Sequence, residues 1–274
     1  MINQNLHRQP VALDHTQHRR LKLKVPVADW SLAGGLNALF VAAAEFADVC
    51  REFPIVFVRA GKEPDGRDQI APIAVLGLSS HENLFVDGTR WRAQYLPALL
   101  QSYPFCYARV DAQRLAVCVD MAFAGVGEVE GQPLFEADGQ PAALLKAMQT
   151  NLEALETQIQ RTRLVGARLL QLGVLRDMRF DATLPDGRTH SVDGFLTVDE
   201  KKVAELPDAV VLELHRNGML GLVHLHWVSL GNMRRLLEWH VARAEATAPA
   251  ATPPATPASP ASPASPAASA TNPA

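Results

Sequence analysis

The chain has 274 residues, 48% of them hydrophobic and 20% charged, with a formal net charge of -3. That is the composition of a globular protein, and so balanced a charge, with no clustered basic face, argues against nucleic acid as a partner. Cys50, Cys106 and Cys118 are odd in number and lack a C-x-x-C spacing; they read as free buried thiols of a reducing compartment rather than a disulfide framework or a zinc site.

The first ten residues are polar and have no apolar core of the signal-peptide kind. Val11, Leu13, Leu21, Leu23, Val25 and Val27 then alternate loosely with polar residues, as in an extended arm, and Pro26 restricts that arm to an edge or loop. Arg19, Arg20, Lys22 and Lys24, interleaved with Leu21 and Leu23, read as its solvent side. Residues 42–50 form a short helix by propensity.

Strands dominate the middle. The run Pro54-Ile55-Val56-Phe57-Val58 suits a buried strand, residues 61–68 a polar loop, and residues 70–78 a second apolar strand. Asn83-Leu84-Phe85-Val86 leads into the turn Asp87-Gly88, with Trp91 beyond it, which predicts a hairpin. Residues 95–101 suggest a helical turn. Residues 105–110 and 115–119 read as two strands joined by a polar turn at 111–114.

Residues 141–172 carry the longest helical pattern. Leu145, Met148, Leu152, Leu155 and Ile159 recur at spacings of three and four and make one stripe. Val165, Leu169 and Leu172 continue it after a weaker step at Thr162. Pro141 suits a first turn and Gly173 a stop. A strand at 178–184, a turn at Pro185-Asp186-Gly187-Arg188 and a returning strand at 189–198 make a second hairpin. Asp199 is an N-cap for a short helix that Pro207 ends. A helix at 209–216 closes at Asn217-Gly218, and one final helix is expected from Met219 to about Ala244. The 219–230 part is the most apolar stretch, but His224 and His226 interrupt it and it is shorter than the roughly 20 residues a spanning helix needs. No membrane span and a cytoplasmic location are therefore expected.

From about Ala246 the chain is almost wholly Ala, Pro, Ser and Thr, too poor in large apolar side chains to offset the entropy of ordering. The expected organisation is one globular domain at 1–245 and a disordered tail at 246–274.

Motifs of known chemistry are incomplete. Arg59-Ala60-Gly61-Lys62 after a strand is followed by Glu63 instead of Ser or Thr, so the phosphate-loop pattern fails. The glycines at 125, 127 and 131 miss the dinucleotide spacing by one residue. No Gly-x-Ser-x-Gly elbow occurs. Ser79-Ser80-His81-Glu82 suggests acid–base chemistry, but a capped polar turn explains it as well. Glu213 with His215, and His224 with His226, are two apart on helices and diverge by about 200°, so no metal set is expected. Asp120 ends a strand, where an exposed aspartate is the usual finding.

Several segments together resemble the SapC-like family of bacterial proteins, named for a gene product linked to surface-layer loci. They are Phe53-Pro54-Ile55-Val56-Phe57, Glu82-Asn83-Leu84-Phe85-Val86, Tyr95-Leu96-Pro97-Ala98, Tyr103-Pro104-Phe105, Leu134-Phe135-Glu136-Ala137-Asp138-Gly139, the run from Gly194 to Glu200, Leu214-His215-Arg216-Asn217-Gly218, and the run from His224 to Asn232. The resemblance spans most of the chain before the tail. It implies no reaction and no assigned catalytic residues. It does hint at a place in surface-layer or TonB-linked uptake physiology. Relatives look more acidic where this chain has Met121-Ala122-Phe123, which weakens a catalytic role for Asp120.

The expected fold is α+β: a mixed or mainly antiparallel sheet packed by one long central helix and C-terminal helices. The expected function is a noncatalytic binding or accessory protein with an unidentified protein or small-molecule partner and no nucleic acid; its cofactors are unknown, and homo-oligomerisation is left open. One rival is an enzyme acting on an imported small molecule or peptide through an undescribed polar site. Candidates for such a site are Glu82, Asn83, Asp87, His215, Arg216, His226 and Asn232. Another rival is a structural interaction subunit using the 145–172 helix.

Overall fold

A computed structural model describes residues 2–63, 65–109, 114–183 and 189–247. The expected turns at 111–114 and 185–188 lie wholly or largely outside the described residues, as does the tail from 248 onward.

The N-terminal arm supplies β1 (Pro10–Ala12) and β2 (Lys22–Leu23), and β3 (Ala38–Phe40) follows. The expected helix at 42–50 is a 3-10 turn at Ala43–Glu45 running into one α-helical turn, α1 (Phe46–Val49). The Glu45 carboxylate, 8% exposed, accepts from the Ala42 and Ala98 amides and the Tyr95 hydroxyl at 2.7–2.9 Å, which ties this turn to the loop at 94–98. Next come β4 (Ile55–Lys62), β5 (Asp68–Val75), the hairpin of β6 (Val86–Asp87) and β7 (Arg90–Trp91), and α2 (Ala98–Gln101). β8 (Phe105–Arg109), β9 (Leu115–Asp120), β10 (Val126–Gly127) and β11 (Gln132–Pro133) lead to the long α3 (Ala143–Gln171). Pro141 stands just before that helix, bridged to Phe135, instead of inside its first turn.

β12 (Leu175–Thr183) and β13 (Thr189–Val198) form a long hairpin. Asp199 then caps α4 (Glu200–Ala204), accepting from the amides of Lys201 and Lys202 as expected. α5 (Asp208–Arg216) ends at Gly218, whose φ of 81° suits glycine. The expected single last helix is two: α6 (Met219–Leu230) and α7 (Asn232–Thr247), separated at Gly231. Glycine lowers helix propensity there, and the Asn232 side chain donates to the Cys50 carbonyl at 2.9 Å, which fixes where α7 sets off.

The main sheet has the order β12-β13-β4-β5-β3, and its neighbouring strands pair antiparallel. A second sheet, β1-β9-β8, carries the N-terminal arm. The fold is α+β, with the long helix and the C-terminal helices packed on the sheets, and one cluster of buried side chains joins them.

Leu145, Leu152, Leu155 and Ile159 are each at most 6% exposed, while Met148, Val165 and Leu172 of the same stripe are half-buried against the core. Most of the stripe that motivated the interaction-subunit reading is thus covered within the chain. Thr162, which looked like an interruption, is part of the contact: 1% exposed, its hydroxyl accepts from the Ala43 amide at 2.9 Å. β3 pairs with β5 over Ile73–Val75, and among the described residues no strand pairs with the rest of that β5 edge. α3 meets it there at Gly166, where an added Cβ would lie 2.2 Å from the Ile70 carbonyl oxygen. A helix laid on a strand edge in this way shields it from pairing with another chain.

Candidate functional site

The seven sequence candidates do not converge. His226 and Asn232 work inside the core. Leu196 pairs with Phe57 across β13 and β4, and continuing that antiparallel register brings Val198 opposite Ile55. No ladder bond joins that next pair; side chains of α6 stand in for it. His226, 0% exposed, has Nδ1 2.8 Å from the Ile55 carbonyl and accepts at Nε2 from the Val198 amide at 3.1 Å. A carbonyl only accepts, so Nδ1 carries the proton and the imidazole is neutral. Burial, opposed weakly by the Ile55 carbonyl, lowers its pKa to about 4. The Ser229 hydroxyl accepts from the Ile55 amide at 2.9 Å, and the Trp227 indole donates to the Val198 carbonyl at 2.8 Å. His226, Trp227 and Ser229 of α6 thus complete the join between β4 and β13, a structural task that occupies their polar groups.

Glu82 and Asn83 hold a loop. Asn83, 0% exposed, donates to the Ala33 carbonyl and accepts from the Phe85 amide, both at 2.9 Å. Glu82 Oε2 accepts from the amides of Leu78 and Ser79, and both carboxylate oxygens lie 3.0 Å from His240 Nδ1 on α7. The Ser79–Glu82 stretch is therefore the capped turn, closed tightly enough that a Cβ on Gly77 would lie 2.0 Å from the Glu82 carbonyl oxygen. α7 clasps this loop further along its length. Arg243 donates to the carbonyls of Asn83 and Val86, and Trp239 packs edge-on against Phe85 under the Arg92 guanidinium.

Asp87 is exposed at the tip of the β6–β7 hairpin, and His215 and Arg216 are exposed at the end of α5. His215 is on the surface while His226 is buried, so the two helices do not bring them together as metal ligands. Among the described residues no group of three or more His, Cys, Asp or Glu is placed to hold a metal ion.

Asp120 corrects an expectation. It is 0% exposed, and its carboxylate accepts from the amides of Arg8, Gln9 and Ala122 and from the Tyr103 hydroxyl at 2.7–3.2 Å. Burial, with the Asp120 charge adding to it, raises the Tyr103 pKa. The carboxylate anchors the N-terminal arm. The three thiols are free and buried, as expected. Burial pushes Cys106 up to about 12, which leaves it unreactive. Arg20 and Lys24 pair with Glu128 and Glu130 on the exposed side of the arm, also as expected.

The recess that sequence reasoning missed lies between the sheet and α3. Along β5 the side chains of Ile70, Pro72 and Ala74 are buried, whereas Ala71 and Ile73, on the other face, are only half-buried. The register Val58↔Ala71 and Phe40↔Ile73 puts four apolar side chains on that half-open face. An antiparallel sheet ordinarily turns polar side chains toward water. With Ile159, Thr162 and Arg163 of α3 these residues line a recess of about 280 Å³. A wider one of about 770 Å³ adjoins it, sharing Gln69, Ile70 and Arg163 and reaching Glu63, Asp65, Arg67 and Asp68 and, on α3, Leu164, Ala167 and Leu170. The Leu164 side chain is 72% exposed there. The continuous apolar run at 70–78 concealed this feature, because a strand with no polar alternation does not reveal which face is open.

No helix among the described residues is long and apolar enough to cross a membrane. The family model described as SapC matches residues 13–236. Neither a curated protein nor a solved structure matches the chain.

Proposed function

The chain belongs to the SapC family, and on that premise we propose that it is a noncatalytic binding or accessory protein serving surface-layer or TonB-linked nutrient-uptake physiology. The observation that carries the binding part is the apolar outer face of β3, β4 and β5 beside α3. Val58, Ala71, Ile73 and Phe40 stand half-open there, and apolar surface left beside a recess marks a place for a ligand. The physiological setting rests on the family resemblance alone.

The rival enzyme reading needed its polar groups in one place. His226, Asn232, Asn83 and Glu82 are instead bound to backbone groups at two separate sites, and Asp87, His215 and Arg216 are exposed elsewhere.

The test is a native mass spectrum of the full chain purified from its own host, recorded before and after mild denaturation, together with a stoichiometric pull-down. A small molecule or partner chain released on denaturation supports the reading. A bare chain, with neither a ligand nor a partner recovered, overturns it.

A further inference from the structure

Arg163 lines both recesses and is half-buried between them. Its hydrogen bond among the described residues is a long one, from Nη1 to Gln160 Oε1 at 3.4 Å. Of the acids that line the wider recess with Arg163, Asp65 and Asp68 have cations of their own, and Glu63 stands beside Arg67. Asp65 pairs with Arg67 at 2.6 Å, and Asp68 pairs with Lys62 at 2.6 Å and Arg59 at 3.6 Å. Those partners hold the carboxyls of Asp65 and Asp68 below their usual range, and the hydrogen-bonded Asp65 carboxylate, with the Glu63 charge adding to it, raises the pKa of Arg67. Among the described residues, Arg163 is thus the cation of this cleft that no carboxylate engages.

The chemistry on either side of Arg163 differs. Toward the smaller recess lie Phe40, Val58, Ala71, Ile73 and Ile159, a surface that gains by burying apolar area. Toward the wider recess lie the uncharged Gln69, Gln160 and Gln171 together with the charged Glu63, Asp65, Arg67 and Asp68. A guanidinium offers a planar fork that a carboxylate meets with two parallel hydrogen bonds. At about 280 Å³ the apolar part is just below the usual size of small-molecule pockets, which suits one short chain better than a two-chain lipid.

We propose that this recess binds a single-chain amphiphile with a carboxylate head. Its apolar chain lies against Val58, Ala71, Ile73 and Phe40, and its head pairs with Arg163. The inference rests on the binding reading above and names the ligand class for that site.

The experiment is calorimetric titration of the full chain with decanoate, 1-decanol and decylammonium, each below its aggregation concentration. The proteins are the wild type, Arg163→Gln and Ala71→Trp, each checked for native circular dichroism. Decanoate is expected to bind the wild type. About tenfold weaker binding is expected for decanol, and likewise for decanoate with Arg163→Gln, because a charge-assisted bidentate pair is lost in each case. Decylammonium should bind more weakly still, and the indole of Ala71→Trp should block the chain in all three titrations. If decanoate and decanol bind alike and Arg163→Gln changes nothing, the carboxylate assignment is overturned while the recess remains a ligand site. If none of the three amphiphiles binds the wild type, the assignment also falls, and the host-purified spectrum decides the broader reading separately.

Discussion

The backbones of Ile55 and Val198 face each other across β4 and β13 and are joined through one imidazole, that of His226. The sheet there is not a continuous ladder. A helix supplies the missing pair of bonds, so α6, β4 and β13 are held as one unit. A side chain in that position must accept on one side and donate on the other in neutral form.

Replacing His226 by Leu fills much of the space and leaves the Ile55 carbonyl and the Val198 amide without partners. An unsatisfied buried polar group costs about 1–3 kcal/mol, so the expected loss is roughly 3 kcal/mol in urea unfolding. His226→Gln keeps one acceptor and one donor and should lose markedly less. Equal losses for the two variants would show that packing, not hydrogen bonding, is what His226 contributes.

The same group predicts an acid limit. The folded pKa of His226, about 4, lies below the ordinary histidine value of 6.5, so between these values the unfolded chain binds the extra proton. The stability this histidine contributes is complete above pH 6.5 and falls as pH drops toward 4. At about 1.4 kcal/mol per pKa unit the loss is roughly 3 kcal/mol. His7 acts in the same direction, its pKa lowered by burial against the opposing pull of Asp120. Urea midpoints measured from pH 8 to pH 4 should fall more steeply for the wild type than for His226→Gln.

Gly166 decides how closely α3 approaches β5. Alanine in mid-helix is favoured over glycine by about 1 kcal/mol. Opposed to this is a Cβ placed 2.2 Å from the Ile70 carbonyl oxygen, which is backbone and does not rotate aside. Overpacking of this kind costs about 1–3 kcal/mol, occasionally more. The contact term should win, and Gly166→Ala should lower the thermal midpoint. A raised midpoint would mean that α3 shifts on the strand edge without loss.

Asp120 should govern the N-terminal arm. Asp120→Ala leaves the amides of Arg8, Gln9 and Ala122 and the Tyr103 hydroxyl without their acceptor, a loss of about 3 kcal/mol or more if water does not replace it. Amide exchange should rise first over residues 8–12, where β1 pairs with β9. Exchange rates unchanged in the arm would show that the strand pairing alone holds it.

The candidate site was legible in the sequence only in part. The residue types with chemical potential are the ones the sequence reading singled out, and several are indeed buried and strongly bonded. Their partners are what the pattern did not contain: Ile55, Val198, Ala33 and Cys50 contribute only backbone atoms, and a backbone amide leaves no mark on composition. Asp120 was expected to be exposed because it ends a strand; the arm that covers it joins β9 from more than a hundred residues away.

The sequence alone determined what local forces decide. Short apolar runs bounded by turn residues made the strands, the three-and-four spacing made α3, Asp199 capped the helix that follows β13, and the family resemblance was readable in short ordered segments. Only the tertiary structure decided which face each element shows to water. The apolar run at 70–78 has one side buried under the core and the other half-open beside Arg163, and nothing in its order of residues separates the two. Register and helix placement do, because they fix which neighbours cover each side chain, and those neighbours come from distant parts of the chain.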